Sequence, residues 1–179
     1  MNSTNLLVEL LVIGVCGGAW MIPLLKIILK DDFFQYLLVA KIENTIIWAA
    51  IIYFFGMLIN YIADVMFYYL DSFMSFKYAQ GKENVQYIRS KIIQSSEYGF
   101  KYMMQRRSLV RIFRANTLNM LMLIITYLID STLISSIFKT KVDVILPVMT
   151  LIFLIIFTGY YKTQKGYLCF IKSMAGYFN

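Results

Sequence analysis

DSFMSFKYAQGKENVQYIRSKIIQSSEYGFKYMMQRRSLVRIFRAN, residues 71–116, is the stretch whose reading decides the fold. It carries nine Lys and Arg residues between two strongly apolar flanks. A segment of that charge cannot cross a bilayer, whereas the flanks cannot stay in water, so the chain divides into a basic arm held between two membrane hairpins. Within the arm, Gly81-Lys82-Glu83-Asn84 is a turn signal. After it, residues 85–114 contain no proline and one glycine, Gly99, which predicts one long helix. Ile88, Ile92, Ser96, Phe100 and Met103 share one face of that helix, and Glu97 precedes Lys101 by four in the favourable order. An amphipathic helix lying against the membrane or a partner copy is the expectation.

Outward from the arm, composition agrees. Hydrophobic residues make up 60% of the chain and mean hydropathy is +0.66, well above the ~45–50% apolar content of soluble domains. Residues 5–25 read as a first span, retained rather than cleaved as a signal peptide, since no basic region precedes the apolar run. Gly14 and Gly18, four apart, predict close helix approach there. A second span is expected over 45–61, its helix continuing beyond the bilayer to about residue 70. Tyr61, Phe67, Tyr68 and Tyr69 would form an interfacial belt on one side and Phe33, Phe34 and Tyr36 on the other. A third span is expected over 117–138 and a fourth over 144–161, with Pro147 in its first turn, joined by the short link 139–143. The tail, 162–179, reads as a short interfacial helix.

The fold class predicted is therefore all-α integral membrane: four transmembrane helices with a cytoplasmic amphipathic arm between the second and third. The segments are an N-terminal hairpin (1–70), the arm (71–116), a C-terminal hairpin (117–161) and the tail (162–179). The net charge of +7 reads as positive-inside topology rather than nucleic-acid binding. Basic residues are concentrated in the arm and tail, which places both termini and the arm in the cytoplasm of a multi-pass cell-membrane protein, a bacterial inner membrane being the expected setting.

Catalysis is not expected. The chain has no histidine and only two cysteines, Cys16 and Cys169, and shows no glycine-rich phosphate loop or Cys-x-x-Cys pair. No cofactor or metal is implied. The informative residues are ionisable groups in or beside spans, where each charge costs about 2.5–3.5 kcal/mol on insertion scales. Asp130 lies deep in the third span, beside Thr126, Ser131 and Thr132. It reads equally as a cation-favouring pore residue and as a structural carboxylate bonded to neighbouring hydroxyls. Glu9 and Asp64 fall near the cytoplasmic ends of the first two spans, with Asn60 one turn deeper, and Arg106, Arg107, Arg111 and Arg114 approach the same level from the arm. Pairing between these acids and arginines would anchor the arm statically or form a gate. Arg107, Arg111 and Arg114 also form one stripe suited to phosphate, carried by an anionic lipid headgroup or a soluble signalling molecule.

The run Gln105-Arg106-Arg107-Ser108-Leu109-Val110-Arg111-Ile112-Phe113-Arg114, feeding straight into a tight two-span hairpin, resembles small multi-span membrane effectors of bacterial anti-phage defence systems. The resemblance is architectural and covers residues 97–165. It implies a homo-oligomeric pore or membrane-disrupting protein switched by a nucleotide signal. The competing expectation is a non-conducting membrane subunit that anchors or assembles a larger complex through a cytoplasmic protein partner.

Overall fold

The computed structural model describes residues 7–21, 24, 45–95, 97–129 and 142–176, all of it helical apart from short turns. The helices are α1 (Leu7–Met21), α2 (Thr45–Met66), α3 (Tyr68–Ala79), α4 (Lys82–Ser95), α5 (Glu97–Ile129) and α6 (Val142–Ala175). Three of them, α2, α5 and α6, are long and apolar enough to cross a membrane. The fourth apolar helix, α1, has a described length of about 22 Å, short of a ~30 Å hydrocarbon core. The interfacial belt expected at Phe33, Phe34 and Tyr36 lies outside the described residues, and so do Asp130, Ser131 and Thr132.

α5 and α6 have 33 and 34 residues, about 50 Å each, and run antiparallel. Tyr102 meets Phe170 with ring centroids 4.7 Å apart, Arg106 flanks Gly166, and Phe113 packs on Gly159. The expected boundaries at 116/117 and 161/162 therefore fall inside unbroken helices. The tail is no separate interfacial helix, because Tyr167, Leu168 and Ile171 are buried and continue α6 into the core. Pro147 lies inside α6 rather than in its first turn.

The expected long helix over 85–114 is divided instead. α4 ends at Ser95 and α5 begins at Glu97, so the chain doubles back and α4 packs on the first half of α5. Ile88 and Ile92 share a face of α4 as predicted, but Met103 belongs to α5 and packs opposite them rather than continuing that face, and all three are buried. They join Met74, Val85, Tyr167 and Ile171 in one core made by α3, α4, α5 and α6. Three acids, Asp71, Glu83 and Glu97, stand in the first turns of α3, α4 and α5, where the helix dipole favours negative charge.

α2 gives way to α3 at Phe67, whose ring packs edge-on against Tyr160 at 5.0 Å. Of the expected aromatic belt, Tyr61, Tyr68 and Tyr69 stay exposed and Phe67 does not. Asp71, near the start of α3, bonds Tyr160 and Gln164. Two turns later the Tyr78 hydroxyl lies 2.7 Å from that of Tyr161. Those two turns advance about 10 Å along α3 but scarcely at all along α6, so α3 runs across the bundle. Gln80 and Gly81 close α3 with left-handed backbone (φ 61° and 108°), and the Gly81 N–H returns to the Ser75 carbonyl at 3.1 Å.

α1 runs parallel to α5, pairing Glu9 with Arg111 near one end and Trp20 with Asn119 near the other. It crosses α2 where Gly14 and Gly56 bring the backbones into contact. A Cβ at Gly14 would strike the Ile52 carbonyl, and one at Gly56 would strike that of Leu10. Gly14 and Gly17 are buried while Gly18 is half-exposed. The tight face thus passes through Gly14 and Gly17, because the crossing is against α2 on one side and Asn119 of α5 on the other.

Candidate functional site: an ionic layer and an arginine-lined cavity

Where the apolar halves of the helices meet the arm, the side chains form a layer of charge. Glu9 is 3% exposed. Its Oε2 accepts hydrogen bonds from Ser108 Oγ at 2.7 Å and Arg111 Nη2 at 3.0 Å. Arg111 Nε sits 2.7 Å from Oε1, close enough for ionic attraction but off the N–H axis, so Nη2 makes the directional bond. A carboxylate this deeply buried persists only because two donors and a positive charge converge on it.

Beside it, Arg114 is 8% exposed and is held from two directions. Nη1 donates to Asp71 Oδ2 at 2.9 Å, and Nη2 contacts Asp64 Oδ1. Asp71 Oδ1 also accepts from the Tyr160 hydroxyl and from Gln164 Nε2, the latter at 3.1 Å. One carboxylate on α3 thereby ties α5 and α6 together, and Arg114 adds α2 through Asp64. Deeper, Asn119 accepts from Trp20 Nε1 at 3.1 Å and donates to the Ile13 carbonyl at 3.1 Å, locking α1 to α5.

The expected pairing of acids with arginines is thus Glu9 with Arg111 and Asp64 with Arg114. Arg106 stands apart. It packs over Tyr102 at 5.1 Å and donates from Nε to the Tyr102 hydroxyl at 2.9 Å. Asn60 and Arg107 line a polar cavity of about 350 Å³ with Asp64, Asp71, Arg111 and Arg114. The cavity is completed by Arg89 and Gln86 of α4 and by Gln164 and Tyr167 of α6. The predicted stripe of Arg107, Arg111 and Arg114 therefore does share one space, but Arg111 and Arg114 are already engaged by carboxylates.

Sequence reasoning missed Asp71, Arg89, Asn119, Tyr160, Gln164 and Tyr167. Two signals were available: Asp71 follows Asp64 by seven residues, two helical turns on, and Asn119 is an amide within an apolar run. Nothing local marks Arg89, because its role depends on the chain reversal after Ser95. No group of three or more metal-ligating side chains occurs among the described residues.

No protein-family model, curated protein or solved structure matches this chain.

Proposed function

We propose that this protein is a membrane effector that acts as a homo-oligomeric pore, with the arm coupled to the spans through the ionic layer. The observation that carries this reading is continuity. α5 and α6 run unbroken from the apolar half, through the layer of Glu9, Arg111, Arg114 and Asp71, into the arm. A push on the arm therefore reaches the spans along rigid helices rather than through a loop. Conduction is proposed to need more than one copy, since several polar groups of the apolar half are engaged within one copy. Asn119 is tied to Trp20 and Ile13, and Thr117 and Thr126 bond to their own helix. Asp130, Asp64 and Asn60 are the residues proposed to line the path. Both termini are proposed to lie in the cytoplasm of a bacterial inner membrane, and antiviral defence is the biological setting proposed from the architectural resemblance. No catalytic role is proposed.

Self-association is supported by large side chains exposed along α4 and at the start of α5. Tyr87, Ile93 and Tyr98 are 57%, 57% and 81% exposed. In the proposed assembly these side chains would be contacts for further copies. The same side chains would seat a different protein, which keeps a second reading: a non-conducting subunit that docks a cytoplasmic partner.

The test is the protein mass in detergent with the micelle subtracted, followed by dye release from liposomes. A closed assembly of three or more copies that leaks, with Arg111→Ala changing the leak but not insertion, is expected. A monomer removes the pore. A tight assembly that never leaks favours the anchoring subunit.

A further inference from the structure

We infer that the cavity between α4, α5 and α6 is a binding site for a phosphate group, with Arg89 and Arg107 as its principal ligands. Four guanidiniums, from Arg89, Arg107, Arg111 and Arg114, line this space. Arg111 and Arg114 are matched by Glu9, Asp64 and Asp71. Arg89 and Arg107 have no carboxylate partner among the described residues, so the site keeps positive charge after every internal ion pair is made.

The unmet donors point the same way, whereas two unmet acceptors of the same lining, Asn60 Oδ1 and Gln164 Oε1, would not meet an anion. Arg89 Nε and Arg114 Nε are buried without a partner among the described residues; they and the Tyr167 hydroxyl, whose nearest donor is the Arg89 guanidinium, line this cavity. Tyr167 is only 2% exposed, and the Arg89 guanidinium lies over its ring at 5.1 Å. Buried donors left unpaired are costly, and an oxyanion accepting from several of them at once is the group that satisfies them. A guanidinium fork bonds two phosphate oxygens together, and a hydroxyl donates to a third. The volume is at the lower end of small-ligand sites, enough for a phosphate and a small carrier group. Arg107 stands at the exposed mouth, where it would meet an arriving anion first.

The phosphate could be borne by a lipid headgroup or by a soluble phosphate monoester, and the experiment separates these sources. The full chain is placed in phosphatidylcholine nanodiscs and its thermal unfolding is followed as glycerol 3-phosphate is added, with chloride at matched ionic strength as control. A parallel set replaces a minor fraction of the lipid by phosphatidic acid. A rise in Tm with glycerol 3-phosphate assigns a soluble ligand. A rise only with phosphatidic acid assigns a lipid.

In either case Arg89→Gln and Arg107→Gln should each weaken binding about tenfold or more, as expected for a lost charge-assisted bond. Tyr167→Phe removes the hydroxyl beside the Arg89 guanidinium and keeps the ring beneath it. It should fold as well as the parent without phosphate and bind several-fold more weakly. Arg106→Gln, facing away from the cavity, should bind unchanged. No response to either probe, or a response that survives Arg89→Gln, Arg107→Gln and Tyr167→Phe alike, overturns the site. The inference does not rest on the pore: binding without leakage removes the pore and leaves the site, and leakage without binding does the reverse.

Discussion

The apolar half and the arm of this molecule are held together by different physics, and the difference follows from their solvents. In the arm, α3, α4 and the inner halves of α5 and α6 enclose large side chains such as Met74, Ile88, Ile92, Tyr167 and Ile171, each no more than 2% exposed. That is a water-type core, formed because apolar surface leaves water. In the apolar half the outward faces of α2 and α6 remain bare, with Phe54, Val65, Leu151 and Ile155 all more than half exposed. Lipid is as apolar as those side chains, so burial gives no drive for helix association there. Contact is made by other means: backbone against backbone at Gly14 and Gly56, and hydrogen bonds through Asn119. The ionic layer joins the two regimes.

If that contrast is right, substitutions should cost most where charge is buried and least where water screens it. Arg114→Ala leaves Asp64 and Asp71 facing each other without their cation. A loss of about 3–5 kcal/mol is expected, as for breaking a buried pair from one side, read as a lower unfolding midpoint in detergent. Arg114→Lys should recover only part, because one ammonium cannot reproduce two divergent guanidinium bonds.

Ile92→Ala empties a site in the arm core that is fully buried. It should cost about 2–5 kcal/mol, and hydrogen exchange should rise in α4 while α2 stays protected. Equal loosening of α2 would break the separation between the two regimes.

Gly14→Val drives a branched side chain into the Ile52 carbonyl. About 1–3 kcal/mol is expected from overpacking, and the readout is loss of a cysteine cross-link engineered between α1 and α2. Asn119→Leu, which removes the bonds to Trp20 and Ile13, should cost less, about 0.6–2 kcal/mol, with the Trp20 emission shifting. At the bottom of the scale, Lys101→Ala breaks the 2.8 Å pair with Glu97 on the open surface of α5. No measurable change in midpoint is expected.

Much of this architecture was legible from residue order alone. The arm, its turn at Gly81, the shared face of Ile88 and Ile92 on α4, and the long apolar helices follow from periodicity and composition, which are local properties. So does the level shared by Glu9, Asp64, Arg107, Arg111 and Arg114, from which Arg106 stands apart, since counting residues from a span end fixes depth. What escaped was every feature that depends on which helix stands beside which. Periodicity reads an unbroken helix over 85–114, but the structure divides it so that one amphipathic face can cover another. Ile88 and Ile92 then bury against Met103, a water-type core that a single extended helix could not make.

The same reason separates the two halves of the candidate site. Sequence alone led to the expectation that acids and arginines would meet at one level of the bundle, because an unpaired charge beside apolar spans is costly. Only the tertiary structure decided the partners: Glu9 with Arg111, and Arg114 with both Asp64 and Asp71. It also decided which arginines were left over. Arg89 reaches Arg107 and Tyr167 because α4 folds back along α5, and α3 crosses α6 to bring Asp71 beneath Arg114. Charge and hydropathy are written residue by residue, whereas pairing depends on three-dimensional adjacency, which packing sets across separations of up to about a hundred residues, as between Glu9 and Arg111.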